Sequence, residues 1–251
     1  MDFGIGGKVA LVTGATKGIG LGIAQALARE GVRVSVVART EADVKRVAHD
    51  INGFGVAADV TTDEGCKTSV EQTQRNVGPI DILINNFGAR AGSSWSDTGP
   101  KEFEAAFDGN VVVSARMTKL VLPAMLDRGW GRVVVITSVW GREAGGAPAY
   151  NAAKSAEISM VKSLAREVAR QGVTVNAVAP GSILWEGGGW YRRQQADPQG
   201  IADFVRHEMP MGRFGNVEEV ASAVAFVCST QASLLTGACI NVDGGQSRSN
   251  I

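Results

Sequence analysis

A phenol, an ammonium group and a hydroxyl fall within one short stretch of the chain, at Tyr150, Lys154 and Ser138. On a helix, the i, i+4 spacing of Tyr150 and Lys154 stacks the two side chains on one face about one turn apart. A free phenol ionises near pH ~10, too high to exchange a proton readily at neutrality, and an adjacent ammonium favours its ionised form. Lys154 is therefore expected to tune Tyr150. Tyr150 then acts as the general acid that protonates a carbonyl oxygen while hydride reaches the carbon, and Ser138 hydrogen-bonds that oxygen to fix its position. Asn110, at the start of a long apolar stretch, is placed to carry a water linking the lysine to solvent. Taken singly, each has a duller explanation: a strand end for Ser138, helix-start packing for Tyr150, a solvated charge for Lys154. A Tyr-x-x-x-Lys match alone is weak, and its weight comes from what accompanies it.

The companion is a glycine loop, Thr13-Gly14-Ala15-Thr16-Lys17-Gly18-Ile19-Gly20, between a first apolar run and a first amphipathic stretch. Glycines let the backbone turn tightly and approach a pyrophosphate at a helix N-terminus, where free N–H groups and the helix dipole favour anions. The spacing departs from G-x-G-x-x-G, but the position between strand and helix is the right one. After the second run come Ala38 and Arg39, where the adenosine ribose of a dinucleotide is expected. A carboxylate there would accept from the ribose hydroxyls of NAD; an arginine offers charge-assisted bonds to a 2′-phosphate. With Lys17 as a second cation and no acid at Ala38, NADP(H) is expected over NAD(H). Asp59 is a candidate for the adenine edge, with a turn or helix cap as its plainer role.

These groups need a frame, and the chain supplies one. Short β-branched runs at Val9–Thr13, Val32–Ala38, Val56–Ala58, Ile80–Ile84, Val133–Thr137, Val173–Val178 and Cys239–Val242 alternate with longer helical segments. This predicts a single-domain, Rossmann-type α/β fold over 1–251: a doubly wound parallel sheet of about seven strands with helices on both faces. Its site should lie beyond the carboxyl ends of the strands, near the point where strand order reverses. Val111–Leu126 and Ala152–Ala169 are apolar nearly all round, more than packing on a sheet requires, and predict subunit contacts. Gly181–Gly200 reads as one long irregular stretch, and 181–210 as a substrate lid. Trp95, Trp140, Trp185 and Trp190 lie in segments expected around the reacting carbon and suggest a bulky, partly aromatic or apolar ketone pocket. Pinning loops to the core is an equally good reading of each ring alone.

Composition narrows the partners. Lys plus Arg and Asp plus Glu are equal at 25 each, so no net field draws the chain to nucleic acid or an anionic membrane. No apolar run approaches the length of a membrane span. Cys66, Cys228 and Cys239 are far apart, without metal-ligand spacing, and their odd number makes a poor disulfide framework. A cytoplasmic protein that needs no metal is expected.

With these residues in view, the sequence resembles the short-chain dehydrogenase/reductase family over almost its whole length, nearest to the 3-oxoacyl-carrier-protein reductase-like branch. Gly14, Gly18 and Gly20 meet its glycine pattern, and Asn85-Asn86-Phe87-Gly88 its Asn-Asn-Ala-Gly segment. Pro180-Gly181 resembles its nicotinamide-side turn, and Asp243-Gly244-Gly245 its C-terminal signature. The resemblance implies a catalytic tetrad of Asn110, Ser138, Tyr150 and Lys154. It implies cofactor contacts from Gly14, Thr16, Lys17, Gly18, Ile19 and Gly20, from Arg39, Asp59 and Val60, and from Asn86 and Gly88. Tyr150, Lys154, Pro180, Gly181 and Ile183 complete that set. It also implies a homotetramer or homodimer. The tyrosine-to-lysine spacing is the carbonyl-reducing one rather than that of an enoyl reductase. Alcohol oxidation by the same groups is the alternative activity; a nucleotide-sensing protein without catalysis would be expected to have lost the tyrosine or the lysine. Two departures stand out: Phe87 replaces a small alanine near the cofactor, and Trp185 stands where relatives often place a threonine on the carboxamide. Backbone groups or Ser182 would then take that contact.

Overall fold

The computed structural model describes residues 2–250; the outermost residues of the 1–251 domain, Met1 and Ile251, lie outside the described residues. The β-branched runs form strands β1 (Val9–Thr13), β2 (Arg33–Ala38), β3 (Phe54–Ala57), β4 (Ile82–Asn85), β5 (Gly131–Ile136), β6 (Val173–Pro180) and β7 (Cys239–Val242). They make one parallel sheet in the order β3-β2-β1-β4-β5-β6-β7. Strand order reverses between β1 and β4, which leaves a crevice at their carboxyl ends.

Successive side chains of a strand point to opposite faces, and here both faces are buried. Val12, Ile84 and Val134 enter one apolar layer, while Leu11, Leu83 and Val133 enter the other. The first is covered by α1 (Gly18–Arg29), α2 (Glu41–Asp50) and α9 (Val217–Cys228), through Ile23, Val44 and Val224 among others. The second is covered by α3 (Asp63–Asn76), α5 (Val113–Asp127) and α6 (Pro148–Val168), through Val70, Met117 and Val161. A fully buried aliphatic side chain of this size contributes ~1.5–3 kcal/mol. Leu11, Ile82, Leu83 and Ile84 are all 0% exposed, so the strands that present the site belong to the most strongly held part of the molecule.

The remaining helix on the site side, α4 (Pro100–Phe107), runs into α5 through a single π-helical turn, Asp108–Val112. The sequence expectation of an irregular stretch over Gly181–Gly200 is corrected: it contains α7 (Gly189–Ala196) and the start of α8 (Pro198–Glu208). Glycines before α7 and Pro198 between the helices masked them. Pro198 is tolerated because it is the first residue of α8, where its missing N–H costs nothing, and Asp197 caps that helix by accepting from Gly200 N at 2.9 Å. Trp190 stacks on Phe204 with ring centroids 4.6 Å apart, a tertiary contact that local pattern does not disclose. No helix among the described residues is long and apolar enough to cross a membrane.

Candidate active site

At the crevice, Thr13 ends β1 and ties it to β4. Its hydroxyl donates to the Ile84 carbonyl at 3.3 Å and accepts from the amides of Asn86 and Phe87, each at 3.0 Å. The Asn86 side-chain amide donates to the carbonyls of Thr13 and Gly14 at 2.9 and 3.2 Å. The glycine loop is thus pinned by a residue seventy positions away in a direct continuation of β4. Gly14 and Gly18 have φ of 63° and 54°, which a side chain would strain. A Cβ on Gly20 would sit 2.4 Å from both Asn86 Nδ2 and the Gly14 oxygen. α1 starts at Gly18 with Lys17 extended at its N-cap and no side-chain cap, so its first amides and its dipole are available to an anion.

Lys17 and Arg39 are both exposed, Arg39 directly after β2. Asp59 Oδ1 accepts from the Thr61 amide at 3.0 Å and hydroxyl at 2.8 Å. Those bonds hold its carboxyl below the ordinary value, with a smaller pull from Arg39. Asp59 therefore builds a turn with one oxygen. Val60 is buried, and its carbonyl accepts from Cys66 Sγ at 3.1 Å. Pro180 closes β6, the Gly181 amide donates to Val242 at 3.0 Å, and Ile183 makes a bridge to Gly215. A cradle of positive-φ glycines, free helix-start amides and two flanking cations fits a phosphorylated dinucleotide.

The chemical groups meet on α6. Ser138, 7% exposed, caps a short 3-10 turn, Val139–Gly141, and its Oγ accepts from the Trp140 amide at 3.2 Å. That turn is fastened to α6: Asn151 Nδ2 donates to the carbonyls of Trp140 and Glu143, and Ser155 Oγ to Gly141. A Cβ on Gly141 would lie 2.8 Å from the Lys154 backbone, so only glycine allows this approach. Tyr150 is half-buried in the first turn of α6, with Lys154 Nζ 5.6 Å from its ring centroid. Lys154 is 2% exposed and donates to the Ile136 carbonyl at 3.0 Å and to Glu157 at 2.8 Å.

Asn110 lies inside the π turn, a distortion that recurs at functional positions. Its Nδ2 donates to the carbonyls of Ala89 and Ala106 at 2.8 and 2.6 Å, while its buried Oδ1 has no protein partner. A Cβ on Gly88 would stand 2.8 Å from that oxygen and 3.3 Å from Lys154 Nζ. Gly88 is thus what keeps the space between Asn110 and Lys154 open. Tyr150, Lys154, Asn110 and Gly88 thus lie together, Asn86 and Phe87 just before Gly88 adjoin the glycine loop, and the turn capped by Ser138 is fastened to α6.

A family model described as "Enoyl-(Acyl carrier protein) reductase" matches residues 14–247. The 3-oxoacyl-[acyl-carrier-protein] reductase of Escherichia coli is 37% identical over 242 residues, covering 95% of this chain and 97% of that protein. The chain belongs to the short-chain dehydrogenase/reductase family. Other relatives in this family include the acetoacetyl-CoA reductase of Shinella zoogloeoides, 34% identical over 95% of this chain and 98% of its own. Among solved structures, the L-sorbose reductase of Gluconobacter frateurii, complexed with NADPH and L-sorbose, matches with a TM-score of 0.93. Its identity is 30%, over 99% of this chain and 100% of that chain. The actinorhodin polyketide ketoreductase with NADPH matches with a TM-score of 0.89 and 34% identity, over 96% of this chain and 97% of that one.

Both departures from the short-chain dehydrogenase/reductase pattern have a structural account. The Phe87 ring packs against the apolar layer beneath the sheet, so its bulk is absorbed by the core. Trp185 lies against the glycine loop: a Cβ on Gly18 would be 2.8 Å from its ring. Ser182 is buried against Gln246, its amide donating to Oε1 at 2.7 Å and its hydroxyl accepting from Nε2 at 3.0 Å. The four tryptophans divide. Trp190 stacks within the α7–α8 pair, Trp185 faces the cofactor loop, and Trp140 packs over Gly145 and Gly146 beside Ser138. Trp95 is 76% exposed, 6.0 Å from Phe103.

The sequence reading missed Arg90, whose guanidinium lies 5.0 Å from the Tyr150 ring centroid, and Asn151, which fastens the Ser138 turn. It also missed Glu157. An acid three residues after Lys154 on the same helix was the available signal, since i, i+3 side chains meet.

Proposed function

We propose that the chain reduces a ketone to a secondary alcohol with NADPH, Tyr150 serving as general acid. The observation that carries this reading is Lys154, buried with its Nζ 5.6 Å from the Tyr150 ring centroid, on the helix to which the Ser138 turn is fastened. The relatives support it: enzymes that reduce 3-oxoacyl thioesters, acetoacetyl-CoA, L-sorbose and a polyketide share the fold and most of the length. The Tyr150-to-Lys154 spacing supports carbonyl rather than enoyl reduction, whatever the description of the family model.

Bound NADPH would supply the hydride. The glycine loop, the start of α1 and Asn86 shape its pyrophosphate end, and Arg39 with Lys17 provides charge for a 2′-phosphate. Gly88, Pro180, Gly181 and the Ile183 backbone border the nicotinamide end, Ser182 being occupied with Gln246. Ser138 donates its hydroxyl proton to the carbonyl oxygen while its own oxygen stays held by the Trp140 amide. Tyr150 delivers a proton to the same oxygen, so charge never accumulates there. Lys154 holds the phenol's polar environment, and the open Asn110 Oδ1 is placed to hold a water beside Lys154.

For substrate we infer a bulky ketone lying between Trp140, Trp95 and the α7–α8 pair, residues 181–210 acting as the lid. The groove of about 620 Å³ between α5 and α6, lined by Leu122, Leu126, Met160 and Leu164, supports assembly of identical chains into a homotetramer, or at least a dimer. A cytoplasmic location is consistent with three free cysteines. Tyr150→Phe tests the central claim: ketone reduction should fall by at least ~10²-fold, the lower end of general acid catalysis, with NADPH affinity and melting temperature preserved. Retained turnover would refute the role. NADPH consumption over acetoacetyl thioesters, aryl ketones, diketones and sugars would define the substrate, and equal turnover of small aliphatic and bulky aryl ketones would sink the pocket reading.

A further inference from the structure

Glu157 is one of the largest fully buried side chains in the protein, at 0% exposure. The mechanism above gives it no task. Its Oε2 accepts from Lys154 Nζ at 2.8 Å, and its Oε1 accepts from Ser114 Oγ, on α5, at 3.3 Å. Burial pushes this carboxyl up, and Lys154 and the Ser114 hydroxyl pull against that. An isolated buried carboxylate is costly unless paired, so the sequence could have avoided the cost with an aliphatic residue at this buried position. The acid is instead joined to the lysine whose Nζ lies 5.6 Å from the Tyr150 ring centroid.

Charge arithmetic gives the pair a function. Whether the shared proton sits on Nζ or on the carboxyl, Lys154 and Glu157 together sum to zero charge. A lone Lys154 ammonium would favour the tyrosinate. A neutral pair does so far less, and ketone reduction needs the protonated phenol at the start of each turnover, whereas alcohol oxidation needs the phenolate. Resting on the assignment of Tyr150 as the proton donor, we propose that Glu157 is a positioning residue: it anchors Lys154 Nζ at the floor of the site and cancels its charge, keeping Tyr150 protonated for reduction.

The other groups that face the pair do not reproduce this effect. Ser114 from α5 and Asn110 from the π turn are uncharged, and Ile136 on β5 offers only its carbonyl. Arg90, in the segment after β4, stands 5.0 Å from the Tyr150 ring centroid. It adds positive charge near the phenol, and that strengthens the need for a compensating anion.

The chain has two tyrosines, Tyr150 and Tyr191, so Tyr191→Phe leaves a single phenol whose ionisation is readable by ultraviolet difference absorbance without turnover. In that background, Glu157→Gln removes the charge and keeps the shape. The tyrosinate absorbance should then appear at a pH lower by about one unit, the low end of what one nearby charge produces. The alkaline limb of kcat/KM for ketone reduction should move down equally, and the rising limb for alcohol oxidation with it, while Glu157→Asp restores the parent curves. Glu157→Met reads the same shift should the amide not fold. Unmoved curves in a folded variant, or failure of both variants to fold, would make Glu157 a structural anchor and overturn the proposal. Tyr150→Phe run alongside separates the two claims: an active phenylalanine variant defeats the proton-donor assignment, whereas unmoved curves with an inactive one defeat only the role of Glu157.

Discussion

Arg39 is the residue on which we propose that cofactor choice turns. It is exposed at the end of β2, and Ala38 beside it offers no carboxylate to the ribose. A charge-assisted bond is worth roughly 1.5–3 kcal/mol, so Arg39→Ala should weaken NADPH binding by roughly 10- to 100-fold. NADH, which carries no 2′-phosphate, should bind the variant as it binds the parent. Fluorescence titration with both dinucleotides decides it, and an equal loss for both would remove Arg39 from phosphate recognition. At this scale the sequence was legible where a residue's chemistry alone restricts its use. Tyr150, Lys154, Ser138 and Asn110 stood out by residue type and by resemblance to the family's tetrad; Lys154 lies near the Tyr150 ring, and Asn110 shares the space beside Gly88 with Lys154. What stayed hidden were residues whose role is defined by a distant neighbour: Asn151 by the carbonyls of the Ser138 turn, Arg90 by the Tyr150 ring, Glu157 by Ser114 on another helix. The tryptophans show the converse, since a large ring near a site in sequence spends itself on whichever partner packing provides.

Among the elements, strands were easier to read than the helices over the site. Seven β-branched runs became seven strands because parallel strands buried on both faces admit little else. The α7–α8 pair is held instead by Trp190 against Phe204 and Phe214, contacts between segments that local pattern cannot foresee. The next connection, into α9, is fixed electrostatically. Arg213 donates to Glu219 at 2.6 and 2.9 Å, and the Asn216 and Glu219 side chains each accept from the other's amide at 2.9 Å, a reciprocal cap. The Arg213 bonds, then the Asn216 amide, hold the Glu219 carboxyl down at about 2, against an ordinary value of 4.5. A carboxyl depressed in the fold contributes stability that is complete above its unfolded value and is lost as pH falls through its folded value. Glu219→Gln should therefore lower Tm at neutral pH, and its deficit should shrink as pH falls from 4.5 towards about 2. Melting curves across that window check the sign. A deficit independent of pH would assign the effect to the cap's geometry rather than to its charge, and because the group is exposed, salt should reduce it.

For the molecule as a whole, the open question is what covers α5 and α6 on the side away from the sheet. Val121 and Val161 are each at most 1% exposed, and Leu122, Leu126, Met160 and Leu164 line a groove between the two helices that reaches down to Val133, Val135 and Val175 of the sheet. Contiguous apolar surface of this kind marks an interaction site in a soluble protein. Two helices presenting one groove suit a two-fold contact, in which the same patch serves both copies. A second copy would cover the groove against α6, the helix that carries Tyr150, Lys154 and Glu157, so assembly should stiffen the chemical end. Leu164→Glu combined with Leu122→Glu places like charges on both sides of such a contact; both leucines also pack against the layer beneath the sheet, so a folding readout accompanies the test. The double variant should sediment as a smaller species than the parent while its circular dichroism stays native. Its turnover should also fall more than its NADPH affinity, because the glycine loop and Arg39 lie on other elements. An unchanged sedimentation coefficient would show that this groove is not an interface between copies of the chain.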